Sequence, residues 1–131
     1  KRDYLYDIII VDSSDPVGPA VQLFQQEFYN DLYDILQDDG LMVCQSESPI
    51  FYSEMMVSIN RRLNKLFPIV RVYMATVPTY PGGFWTFTMG SKKYGEANPE
   101  KFDKDTLYIN KDIIRGCFAL PEFIKKILNV D

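Results

Sequence analysis

A chain of 131 residues with 47% apolar and 15% aromatic side chains carries enough hydrophobic surface for one packed domain and is unlike the composition of disordered segments. Eighteen acidic against fourteen basic residues give a net charge of -4, and the basic residues are scattered apart from pairs such as Arg61-Arg62 and Lys125-Lys126. That excludes the clustered basic face a phosphate backbone needs, while the absence of any apolar run near ~20 residues argues against a membrane span.

The first segment, Tyr6 to Val11 (YDIIIV), is a continuous β-branched run too short for a helix. Unbroken apolar character predicts a strand covered on both faces, as in parallel sheets. A polar loop, Asp12-Ser13-Ser14-Asp15-Pro16, follows at its C-terminal end. Helical spacing of Leu23, Phe24, Phe28, Leu32, Ile35 and Leu36 predicts one helix from Val21 to Leu36, closed by the turn Asp38-Asp39-Gly40. Leu41 to Cys44 is a second apolar run, so the order strand, helix, strand forms a βαβ unit whose right-handed crossover makes the two strands parallel.

Gln45-Ser46-Glu47-Ser48-Pro49 is again a polar loop after a strand, and Tyr52 to Phe67 reads as a second helix. Ile69 to Val77 and Phe84 to Met89 read as strands joined by the turn-rich Pro78-Thr79-Tyr80-Pro81-Gly82-Gly83; with no helix between them they predict an antiparallel finish. Ser91 to Asp105 is a polar surface excursion, Lys111 to Arg115 a helical turn, and Leu120 to Leu128, opened by Pro121, a last helix. Cys44 and Cys117 lie in no CxxC pair and are expected to be buried free thiols; the chain has no histidine, the commonest zinc ligand and general base.

In open α/β sheets ligands bind beyond the carboxyl ends of the strands. The loops there hold Asp12, Asp15, Gln45 and Glu47 with no basic counterpart, and Tyr80 precedes the last strand. Carboxylates so placed favour a cation, and a hard metal ion such as magnesium and an organic amine both fit the residue types. Taken singly, Asp12 and Asp15-Pro16 are ordinary turn residues, Gln45 and Glu47 a solvated loop, and Trp85 core packing on the last strand.

Together, Asp12-Ser13-Ser14-Asp15-Pro16-Val17-Gly18-Pro19-Ala20, Gln45-Ser46-Glu47 and Pro78-Thr79-Tyr80-Pro81-Gly82-Gly83, each at a strand end and in this order, strongly resemble the spermidine synthase family. The likeness runs from Tyr6-Asp7-Ile8-Ile9 through Phe84-Trp85-Thr86-Phe87-Thr88-Met89-Gly90-Ser91-Lys92 to Phe118-Ala119-Leu120-Pro121. It implies an α/β fold: the C-terminal half of a Rossmann-like, class I methyltransferase-type doubly wound sheet, parallel except for an antiparallel last strand. It further implies aminopropyl transfer from decarboxylated S-adenosylmethionine to putrescine, giving spermidine and methylthioadenosine, with no metal and no permanently bound cofactor. An aminopropyltransferase for another amine, or a non-catalytic binding module of the same fold, is the alternative.

By that resemblance Asp12 is the base for the amine proton and Asp15 binds the attacking end, beside Ser13 and Ser14. Gln45 and Glu47 hold the distal amine, Tyr80 lines the channel, and Pro19, Ala20 and Leu23 lie against the adenine with backbone groups of Asp12 and Ser13. The family's Gly-rich cofactor loop, ribose-binding acid and N-terminal β domain have no counterpart in residues 1–131, which begin with Lys1 rather than Met. The chain is therefore expected to be the C-terminal part of a longer cytoplasmic enzyme, inactive by itself, with an open sheet edge that favours self-association; the parent is expected to be a dimer or tetramer, with neither nucleic acid nor membrane as a partner.

Overall fold

The computed structural model describes residues 4–14 and 17–130. Its centre is a four-stranded sheet of order β1-β2-β4-β3, formed by Tyr6–Val11, Leu36–Gln45, Phe84–Ser91 and Ile69–Thr76 for β1, β2, β4 and β3 respectively. β1 and β2 are parallel, and β4 runs antiparallel to both β2 and β3. The mixed α/β architecture and the antiparallel last strand agree with the sequence reading. β4 does not simply extend the sheet: it folds back into the slot between β2 and β3, pairing from Leu41↔Ser91 to Gln45↔Phe87 on one side and from Ile69↔Ser91 to Thr76↔Phe84 on the other.

Two local expectations are revised. The segment after β1 is not one helix but a 3₁₀ helix, Gly18–Phe24, followed by α1, Gln26–Asp34. Gln25, extended at φ -83° and ψ 159°, ends the first and caps the second. No Gly or Pro marks the break, because the apolar spacing continues across it: Phe24 and Tyr29 enter the same core. The expected turn at Asp38-Asp39-Gly40 lies inside β2 as an irregularity, where the register jumps from Tyr6↔Leu36 to Ile8↔Leu41. Gly40 is required at this fold-back, since a Cβ there would lie 3.1 Å from the backbone of Gln37.

The alternation of side chains along the strands divides the sheet into two faces. On one, Met42 and Cys44 of β2 pack with Tyr29, with Leu36, and with Ile59 and Leu63 of α2 (Ser53–Asn64), joined by Ile9 and Val11. A smaller cluster places Met56 of α2 and Val72 of β3 against Ile124 of α4 (Glu122–Leu128). On the other face Ile8 and Ile10 are 58% and 78% exposed. The apolar run of β1 is thus not covered on both faces by the described residues; its second face walls the cavity described below. β1 is the edge strand of the described sheet, with one side unpaired.

The Ser91–Asp105 excursion is irregular apart from a short 3₁₀ turn, Pro99–Lys101, and α3 spans Lys111–Gly116. Glu100 ties the two together, accepting from Lys111 at 3.1 Å and from Arg115. Cys44 is buried and Cys117 half-buried, both as free thiols. Among the described residues no helix is long and apolar enough to cross a membrane.

Candidate active site

A cavity of about 740 Å³ opens over the ends of β1 and β2, lined by Asp12, Ser13, Ser14, Gln45, Glu47 and Tyr80. Ser13 and Gln45, far apart in sequence, meet there because parallel strands bring their C-terminal ends to the same side of the sheet. Asp15 lies outside the described residues. Pro19, Ala20 and Leu23 belong to the 3₁₀ helix and do not line this cavity; Leu23 packs against the main core.

Glu47 is the most constrained group of the site. It is 3% exposed and sits at φ +67°, a left-handed conformation that non-glycine residues seldom adopt. Its backbone is held there by β4: the Thr86 N–H donates to the Glu47 carbonyl at 3.0 Å and the Thr86 hydroxyl at 2.8 Å. The Ser46 N–H in turn donates to the Thr86 carbonyl at 2.8 Å, which prolongs the β2–β4 ladder past the end of β2. Beneath this point Ser46 and Thr88 share a hydroxyl hydrogen bond of 2.6 Å, and Cys44 Sγ donates to the Thr88 carbonyl. The left-handed turn is therefore over-determined, and it swings the Glu47 carboxylate into the cavity wall.

Gln45 joins the two strand-end loops. Its Nε2 donates to Glu47 Oε1 at 2.8 Å and to the Ser13 carbonyl at 3.1 Å. Its Oε1 accepts from the Glu47 N–H at 3.1 Å and from Trp85 Nε1 at 3.0 Å. Trp85, expected as core packing with a place in the site lining as the alternative, is buried at 7% exposure and lines the cavity. Period-2 alternation on β4 could have signalled this, since Trp85 and Phe87 must share the face opposite Thr86 and Thr88.

Tyr80 is placed by the loop between β3 and β4. Two successive turns, Tyr80 N–H to the Val77 carbonyl at 3.0 Å and Gly83 N–H to the Tyr80 carbonyl at 3.0 Å, raise it over the sheet end. Its ring centroid lies 4.3 Å from that of Trp85. Tyr52 and Tyr73 complete an aromatic wall that the motif residues did not foretell.

Chemically, the cavity pairs two carboxylates, Asp12 and Glu47, with aromatic and aliphatic walls and has no Lys or Arg among the described residues of its lining. No ion pair among the described residues engages either carboxylate. Two carboxylates set beside aromatic and aliphatic surface suit an organic cation. Among the described residues no three acidic or cysteine side chains converge as a metal-binding group.

Comparison with known proteins agrees with this architecture. The model of the spermine/spermidine synthase domain matches residues 1–101. Polyamine aminopropyltransferases of Moorella thermoacetica and Bacillus subtilis are 49% and 44% identical to the chain, each over 98% of it, but the match covers 46% and 48% of those proteins. A spermidine synthase in complex with the transition-state analogue AdoDATO superposes with a TM-score of 0.85 at 37% identity, over 95% of this chain and 45% of that one. The Thermotoga maritima spermidine synthase gives 0.83 at 35% identity, over 97% and 44%. The chain thus spans about half the length of the relatives it matches, and its sheet is the methyltransferase-like one of those structures. Motif, sheet order and family model coincide over the strands that build the cavity, and the chain belongs to the spermine/spermidine synthase family.

Proposed function

We propose that the whole protein carrying this chain is a spermidine synthase, transferring an aminopropyl group from decarboxylated S-adenosylmethionine to putrescine, with spermidine and methylthioadenosine as products. The observation that carries this reading is the pair of carboxylates without basic partners, Asp12 and Glu47, in one apolar cavity at the ends of β1 and β2. Within the intact protein this chain forms the amine-facing wall of the site.

A primary alkylammonium titrates near ~10.4, so freeing its lone pair at pH 7 costs on the order of 4 to 5 kcal/mol. Asp12 attracts the ammonium and accepts its proton as the nitrogen bonds to the aminopropyl carbon; the carbon–sulfur bond breaks and the sulfonium leaves as a neutral thioether. Such a leaving group needs no covalent enzyme nucleophile, so the site's main task is to hold nitrogen, carbon and sulfur in line. Asp15, with Ser13 and Ser14 beside it, assists at the attacking end, and Tyr80 packs along the chain near the reacting nitrogen. Gln45 and Glu47 form the distal end. Pro19, Ala20 and Leu23, with the backbone of Asp12 and Ser13, take the adenine side. The setting we propose is the cytoplasm, in a homo-oligomer.

Incubating the intact protein with decarboxylated S-adenosylmethionine and a panel of diamines tests this. Spermidine formed preferentially from putrescine is expected. Turnover with a different amine would reassign the substrate, and no turnover with any would refute the activity.

A further inference from the structure

Gln45 has no hydrogen-bonding capacity left for a ligand. A primary amide offers two N–H donors and one oxygen with two lone pairs. Both donors are committed, to Glu47 Oε1 and the Ser13 carbonyl, and the oxygen accepts from Trp85 Nε1 and the Glu47 N–H. We propose that Gln45 is a bracket rather than a substrate ligand, that Trp85 is the positioning residue that orients it, and that Glu47 alone meets the distal ammonium. This rests on the amine-pocket reading above.

The four partners permit one orientation of the amide. The indole N–H and the Glu47 N–H can only donate, so they require the oxygen; the Glu47 carboxylate and the Ser13 carbonyl accept, so they require the NH₂ group. A flipped amide would set oxygen against carboxylate and N–H against N–H. Trp85 is the member of this set that comes from β4 rather than from a strand-end loop, and at 7% exposure its N–H has little recourse to water. Losing that donor frees the amide to turn, and with it the carboxylate that Gln45 aims. The position of the Glu47 carboxylate relative to the Ser13 loop is held by this bracket.

In the intact protein, Trp85→Phe keeps an aromatic ring against Tyr80 and removes the donor. The KM for diamine should rise roughly tenfold, the scale of one buried hydrogen bond, with a much smaller change in kcat. Gln45→Met should raise it at least as much, and the double variant should be no worse than Gln45→Met, because the bond to the indole is already lost with the amide. An unchanged KM in Trp85→Phe, or fully additive effects, would overturn the proposal. Should Trp85→Phe not fold, the indole N–H resonance of Trp85 in Gln45→Met decides the matter: an upfield shift with faster hydrogen exchange is expected, and an unmoved, protected resonance refutes the contact. A wild-type protein inactive towards every diamine would instead refute the amine-pocket reading, leaving the resonance test of the bracket standing.

Discussion

Cys44 sits under the cavity floor on the core side of β2, where burial pushes its thiol from 9.0 up to about 12 against the opposing effect of hydrogen bonding with Ser46 and the Thr88 backbone. Tyr29 and Tyr73 are raised by burial as well. In each case the folded state holds the proton more tightly than the unfolded one; for Cys44 this contribution to stability is complete below pH 9 and is lost as pH climbs towards 12, and the tyrosine contributions begin to be lost above pH 10. Urea midpoints should therefore fall steadily between pH 9 and the highest attainable value, and a flat profile would contradict the buried-thiol assignment. The carboxylate chemistry makes a separate prediction. Asp12→Asn in the intact protein should lower kcat at least about 100-fold while methylthioadenosine binding, followed by calorimetry, stays largely intact. Asp12, Gln45, Glu47 and Tyr80, each ordinary in a loop when taken singly, are singled out by their occurrence in order at successive strand ends and by the family resemblance of those motifs. The saturation of Gln45 was not legible, since it depends on Trp85, 40 positions away.

At the scale of elements, β4 is the member on which the others depend. It pairs on both sides, supplies Thr86 to hold the left-handed turn at Glu47, and supplies Trp85 to hold Gln45. Its close approach to the main core occurs at Gly90, where a Cβ would stand 2.6 Å from Cδ2 of Phe67. Phe67 is itself wedged edge-on against Tyr33 at 5.0 Å and has little room to yield. Gly90→Ala should accordingly cost about 1 to 3 kcal/mol in chemical denaturation, the penalty of overpacking a filled core. The helix after β1 shows where periodicity misleads. Apolar spacing at 3.6 residues continues through Gln25, yet the 3₁₀ turn and α1 approach the core separately. A pattern of which residues are apolar does not say whether the backbone between them is unbroken.

Across the whole molecule, β1 presents an unpaired edge together with the exposed Ile8 and Ile10. Such an edge is a template for pairing. The 131-residue chain prepared alone is expected to sediment as an oligomer, with Ile8→Lys and Ile10→Lys shifting it towards monomer; a well-folded monomer at high concentration would count against this. By itself the sequence determined the α/β class, the parallel start and antiparallel finish, and the motif residues at strand ends, because period, turn chemistry and the handedness of the crossover are local properties. Tertiary structure decided the rest. It inserted β4 between β2 and β3, left one face of β1 as a cavity wall, and surrounded the Gln45 amide with partners that include the Trp85 indole. Each of these depends on contacts between residues dozens of positions apart, and such contacts leave no trace in local spacing.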